Sequence, residues 1–256
     1  MKWLKTLAMA FSMYSKLPMP QFPWTKETMR YLFCFFPLIG VVIGALELLW
    51  MRLALFIGTG DLLRSCVLVL IPVLVTGGIH LDGFLDTSDA LASWQPPEKR
   101  LEILKDPHTG AFAVIAGCAY FTASLGIWSE ADFTAAQILA AGFVLSRALS
   151  GFGVCTFPCA KGSGLAATFA DAADQRRCRI CLIAWAAAAV AAMLAADPFG
   201  GAAAAAAAVL TCLLSRRMAL KKFGGITGDI QGFFLQMCEL IMAFAAVIGG
   251  NISETI

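Results

Sequence analysis

The chain has 256 residues, of which 59% are hydrophobic and only 14% charged, with a net charge of +2 and a mean hydropathy of +0.78. A soluble domain carries about a quarter charged residues, so a single water-soluble core is excluded. No basic tract or aromatic-basic ladder suggests nucleic acid.

The first residues resemble a signal peptide only superficially. Ser12, Tyr14, Ser15 and Lys16 interrupt the apolar stretch Leu7 to Phe11 too early. An amphipathic interfacial helix is expected instead, with Trp3, Leu4, Leu7 and Phe11 on one side and Lys2, Lys5, Ser12 and Lys16 around the other.

Apolar runs then recur at lengths suited to crossing a bilayer, which takes about 20 residues of helix. Spans are predicted at residues 31–57, 64–81, 110–128, 133–155, 179–196, 200–215 and 232–249. Nothing alternates with the short period of a membrane barrel, so each span satisfies its own backbone as a helix. The fold class is therefore all-α: a polytopic helical membrane protein with about seven transmembrane helices and an interfacial N-terminal helix, forming a single integral membrane domain over 1–256. The turn Asp197-Pro198-Phe199-Gly200-Gly201 joins the fifth and sixth spans as a tight hairpin. The aromatic group Tyr31, Phe33, Phe35 and Phe36 reads as a lipid-facing belt.

Basic residues orient the bundle. Lys2, Lys5, Lys16, Lys26 and Arg30 precede the first span. Lys99, Arg100 and Lys105 follow the second. Lys161, Arg176, Arg177 and Arg179 follow the fourth, and Arg216, Arg217, Lys221 and Lys222 the sixth. The alternate loops are short and acidic or neutral. Positive residues stay inside, so the N-terminus and the long loops are expected in the cytoplasm and the C-terminus outside. The 9 cysteines are scattered through apolar runs and read as small buried hydrophobes in a reducing compartment. Zinc at Cys155, Cys159, Cys178 and Cys181 is a weaker alternative.

The chemistry concentrates in residues 77–91, Gly-Gly-Ile-His-Leu-Asp-Gly-Phe-Leu-Asp-Thr-Ser-Asp-Ala-Leu. On a helix, Asp82, Asp86 and Asp89 fall at i, i+4 and i+7 on one face, where like charges repel. A divalent cation would neutralise them, and all-oxygen donors suit Mg²⁺, which shares its site with substrate phosphates. The alternative is a solvated acidic face. His80 is a general base, a phosphate ligand, or a histidine bonded to a loop carbonyl.

Two further segments lie on the same membrane face. In 224–232, Gly-Gly-Ile-Thr-Gly-Asp-Ile-Gln-Gly, the glycines (Gly225 among them) and Thr227 permit close approach of an anion, and Asp229 is either a helix N-cap or a fourth carboxylate. In 105–112, Lys105 and His108 either receive a phosphate or simply flank a span. Glu47, Arg147 and Glu239 fall within spans, where ionisable groups face a cavity or one another.

These motifs resemble the cobalamin synthase family, the adenosylcobinamide-GDP ribazoletransferases. Residues 77–90 carry a long and specific likeness. Leu17-Pro18-Met19-Pro20, Phe36-Pro37-Leu38-Ile39-Gly40 and Gly224-Gly225-Ile226-Thr227-Gly228-Asp229 are similar to family segments in the same order. Two departures stand out. His108 occupies the place of a family Arg, and Lys161, in Ala160-Lys161-Gly162-Ser163-Gly164-Leu165, that of another. Lys offers a point charge where Arg offers a fork.

The resemblance implies a Mg²⁺-dependent transferase of the last assembly step of vitamin B12 synthesis. It would join adenosylcobinamide-GDP to α-ribazole, or its 5′-phosphate, with release of GMP. Asp82, Asp86, Asp89 and Asp229 are expected at the metal, His80 at the ribose hydroxyl with Asp82 and Asp86 as the catalytic carboxylates, and Lys105, His108, Lys161, Gly225 and Thr227 around the substrate. Membrane lipid is the expected surrounding partner, and homo-oligomerisation stays open. A CDP-alcohol phosphotransferase is the nearest chemical alternative, but Asp82-Gly83-Phe84-Leu85-Asp86 lacks the Ala-Arg of its motif. A transporter is the alternative from another class, with Glu47, Arg147 and Glu239 as its natural support.

Overall fold

A computed structural model describes residues 2–160 and 164–253, and the described residues fold as twelve helices. The first, α1 (Lys2–Tyr14), lies on the start of the long α3 (Leu32–Ile57), with the single-turn α2 (Lys26–Met29) between them. Then come α4 (Asp61–Thr76), α5 (Ile79–Ala92), α6 (Pro97–Ile103), α7 (Ala111–Glu130), α8 (Phe133–Val154), α9 (Leu165–Ala172), α10 (Gln175–Ala196), α11 (Pro198–Phe223) and α12 (Gly228–Ser253). Six of them, α3, α7, α8, α10, α11 and α12, are long and apolar enough to cross a membrane. The protein is an all-α polytopic membrane protein.

The predicted second span differs in an instructive way. It was expected to run straight to residue 81, but α4 stops at Thr76 and α5 leaves it at 96°. Gly77 and Gly78 make the corner with φ of 65° and 78°, a backbone region open to glycine. The corner is also tied from outside, because Lys16 N donates to Val75 O at 2.8 Å. At 16 residues α4 is about 24 Å long. On its own it is shorter than the other apolar helices, and only together with α5, as a pair bent by 96°, does it reach the length and hydropathy of a span.

Other boundaries move outward. The sixth span, expected over 200–215, extends over Pro198–Phe223, so Arg216, Arg217, Lys221 and Lys222 lie on its last turns. Asp197 starts it by accepting from Gly200 N. The seventh begins at Gly228, which places Asp229 and Gln231 inside the helix.

The core gathers around α8, whose Ile138, Leu139, Phe143 and Leu145 are buried together with Phe36, Ile39 and Ile43 of α3. One expectation fails here. Tyr31, Phe33 and Phe36 are buried, not lipid-facing. Helix α1 buries Thr6, Met9, Ala10 and Phe11, whereas Trp3 and Leu4 stay more than half exposed. Helix α1 packs against α3 with the first group and leaves the Trp3–Leu4 side open, as an interfacial helix requires.

Two of the three ionisable groups inside the bundle find each other. Arg147 Nη1 of α8 donates to Glu239 Oε1 of α12 at 2.6 Å, and Ser146 Oγ donates to the same oxygen at 2.9 Å. Glu47 on α3 is fully buried, and both its carboxyl oxygens lack a hydrogen-bond partner. Of the two glutamates, Glu239 is therefore the partner of Arg147.

Candidate active site

Residues 77–91 and 224–232 meet where α5 crosses the first turns of α12, and Lys105 and Gly164 border the same cavity. Contact between the two helices is backbone to backbone. A Cβ on Gly83 would lie 2.7 Å from Asp229 Cα, and one on Gly232 would lie 2.8 Å from His80 O. Neither position tolerates a side chain, so glycines at 83 and 232 set the distance between the acidic stripe and α12. Phe84 stacks on Phe233 with ring centroids 5.5 Å apart and reinforces the crossing.

The stripe forms as expected. Asp82, Asp86 and Asp89 share one side of α5; Asp82 is exposed, and Asp86 and Asp89 are half-buried. The carboxyl of Asp86 is raised from 3.8 to about 6, by burial first and then by the charges of Asp82, Asp229 and Asp89. Carboxylates from two distant stretches of chain thus act on one group.

Asp229 had two readings, and the helix start separates them. Thr227 Oγ1 accepts from Ile230 N at 3.2 Å and so caps α12. Asp229, two residues on, is left as a carboxylate beside Thr227, whose hydroxyl donates to its Oδ2 at 3.4 Å. Asp89 stands apart from the other three. Its carboxylate lies against Gly110, where α7 begins, and a helix N-terminus is itself a favourable place for a negative charge.

Among the described residues, no three His, Cys, Asp or Glu groups converge as a ready cage for a metal ion. The acidic stripe instead offers its oxygens in sequence along a helix face. Hard oxygen donors in an open row suit Mg²⁺ held through few carboxylates and completed by water and phosphate. The donor set fits that ion, and no Lys or Arg contributes to the shift at Asp86.

His80 is buried, and its Nε2 has no hydrogen-bond partner. Burial, and then the charge of Arg147, push its pKa down to about 3, so the imidazole is neutral at physiological pH. Tyr14 and Phe36 flank the ring at 6.0 and 5.8 Å between centroids. The loop-carbonyl alternative for His80 has no support at Nε2.

The remaining expected residues divide. Lys105 is exposed and lines the rim of a cavity shared with His80, Asp82, Thr227 and Asp229. His108 is not in that lining; it is exposed, and its Nδ1 pairs with Asp106 Oδ1 at 2.7 Å. Gly225 is buried against the backbone of residues 158–160, where Ile226 N donates to Pro158 O at 2.9 Å and Ala160 N to Ile226 O at 3.0 Å. Its visible role is to strap that segment to the start of α12. Lys161 lies outside the described residues. Of the cysteines, Cys34 Sγ lies 3.8 Å from Cys178 Sγ, a pairing across α3 and α10 that the spacing of 155, 159, 178 and 181 did not suggest.

Sequence reasoning missed the cavity wall. Tyr14, Phe33, Phe36, Ser150, Gln231 and Leu235 all line it. Gln231, a polar residue one turn inside an apolar span, was the one visible signal. Ser150 and Leu235 carry none, because burial at helical spacing looks the same whether a side chain faces a neighbour or a cavity.

Comparison with known proteins extends the likeness over nearly the whole chain. The family model described as cobalamin-5-phosphate synthase matches residues 6–247. A protein of Lachnoclostridium phytofermentans named adenosylcobinamide-GDP ribazoletransferase is 44% identical, covering 98% of this chain and 97% of that one. Proteins of the same name from Stutzerimonas stutzeri and Clostridium botulinum (strain Alaska E43 / Type E3) are 32% and 30% identical, each over 95% of this chain and 98% and 97% of their own. No solved structure matches.

Proposed function

The chain belongs to the cobalamin-5-phosphate synthase family, and on that premise we propose that it is a transferase that joins adenosylcobinamide-GDP to α-ribazole, or its 5′-phosphate, and releases GMP. The reaction is attack by a ribose hydroxyl on a pyrophosphate phosphorus. Such transfers need positioning and charge stabilisation more than a covalent nucleophile. The observation that carries the reading is the meeting of Asp82 and Asp86 on α5 with Asp229 on α12, enforced by the contact of Gly83 with the Asp229 backbone.

Asp82, Asp86 and Asp229 would hold Mg²⁺, with Asp89 at the end of the row. Held by these oxygens, a Mg²⁺ ion would supply charge neutralisation for the pyrophosphate and its leaving oxygen. The neutral imidazole of His80, with Nε2 unpartnered, accepts a hydrogen bond from the attacking hydroxyl and orients it. Lys105, at the rim, offers a point charge to the phosphates. Helix α12 directs its N-terminal amides toward the same place. The basic residues at the helix ends support a site on the cytoplasmic face of the inner membrane.

The test is GMP release from detergent-purified protein given both substrates and Mg²⁺, with chelator as control. Release that persists unchanged in excess chelator removes the metal from the reading. A protein that releases no GMP under any of these conditions loses the transferase assignment.

A further inference from the structure

The cavity beside the acidic stripe is larger and more apolar than phosphate chemistry requires. It has a volume of about 370 Å³. Its rim is polar, formed by Asp82, Lys105, Thr227 and Asp229. Its deeper wall comes from positions one or two turns inside their helices: Phe36 of α3, Ser150 of α8, Gln231 and Leu235 of α12. Met13 and Tyr14 at the end of α1 close over it. His80 stands between the two regions, with Nε2 unpartnered although the residue is 5% exposed.

We propose, resting on the transferase reading above, that this cavity holds the flat apolar base of the ribazole acceptor, so that its ribose emerges at His80 beside the carboxylates. Size excludes the corrinoid, which is several times larger than the space available. Chemistry argues against the guanine of the donor. The deep polar groups, Ser150 and Gln231, already bond each other, Ser150 Oγ donating to Gln231 Oε1 at 3.1 Å. A guanine edge buried there would lose most of its hydrogen bonds to water, which is costly. A bicyclic aromatic base with a single ring-nitrogen acceptor loses far less, and Tyr14, Phe33, Phe36 and Phe169 supply ring faces and edges to pack it. The same enclosure makes the cavity the element that selects the acceptor base by shape.

The test uses Val154→Phe, which narrows the cavity from the end of α8, and Leu101→Trp, which narrows it from the peripheral α6. Binding of free α-ribazole is followed by its fluorescence on purified protein in chelator, without donor. Wild type binds saturably, and each folded variant weakens binding by about tenfold or more. In turnover the KM for ribazole rises correspondingly, and that for adenosylcobinamide-GDP stays within about twofold. If wild type does not bind ribazole, or if both variants bind it as wild type does or raise the donor KM instead, the cavity is not the acceptor site. The two readings fail separately. Saturable ribazole binding without GMP release sinks the transferase and keeps the cavity, whereas GMP release with an unchanged ribazole KM in both variants does the reverse. Leu101→Trp, on a short surface helix, keeps the test decisive if Val154→Phe fails to fold.

Discussion

Gly83 of α5 touches the backbone of Asp229 of α12 so closely that a single added carbon would come within 2.7 Å of the Asp229 Cα. That contact holds together carboxylates separated by most of the chain. Gly83→Ala must push the helices apart, since backbone and not a flexible side chain stands in the way. We expect a loss of GMP release of about 100-fold or more, because misplacement of about 1 Å has that effect on a positioned reaction. Membrane insertion and helix content by circular dichroism should be unchanged. Activity near wild type would show that the crossing does not position the site.

The carboxylates should not contribute equally. Asp82→Ala and Asp86→Ala are expected to abolish turnover. Asp89→Asn is expected to be milder, since the Asp89 carboxylate lies at the start of α7 against Gly110. Steady-state rates across a Mg²⁺ titration would separate these. An Asp89 variant as dead as Asp82→Ala would place all three at the ion.

Protons should compete with the cation. The Asp86 carboxyl is raised to about 6, so it is largely protonated below that pH and must lose its proton to ligate Mg²⁺. Affinity for Mg²⁺ should therefore fall by up to about tenfold per pH unit below this value. Without metal the sign for stability is opposite. A raised carboxyl stabilises the fold fully below its ordinary 3.8, and the benefit is lost as pH rises through about 6. Chelated protein should therefore melt lower at pH 7 than at pH 5, and Mg²⁺ should reverse the difference.

The buried pair Arg147 and Glu239 should behave as structure. Arg147→Met leaves Glu239 and Glu47 buried with no cation between them, and Glu239→Gln leaves Arg147 charged and unpaired. Each should cost about 3–5 kcal/mol. A double replacement by apolar residues of similar volume should cost less than either single change. Thermal melts of the purified variants in detergent would read this, and an additive double variant would deny the pairing.

Thr227→Ala removes the cap of α12 and should destabilise by about 1 kcal/mol, with Thr227→Ser close to wild type. Because Asp229 is in the same turn, the alanine variant should also raise the Mg²⁺ concentration needed for half-maximal rate. A melt unchanged from wild type would show that another group caps the helix.

The span pattern, the all-α class and the acidic stripe were legible from the chain alone, because each depends on composition or on neighbours within a few residues. Hydrophobic runs of bilayer length read out spans whatever they pack against, and the i, i+4, i+7 spacing places Asp82, Asp86 and Asp89 on one face of any helix. The 96° corner at Gly77 and Gly78 left only a faint trace, a pair of glycines. What tertiary structure decided was which helices touch. Asp229 beside Gly83, Glu239 rather than Glu47 against Arg147, and Phe33 and Phe36 turned from lipid to a cavity under α1 all depend on close packing between elements far apart in sequence. Apolar attraction is non-directional and says that a face is buried, not against what. The partner is chosen by shape and by where small residues let backbones meet, which no local pattern encodes.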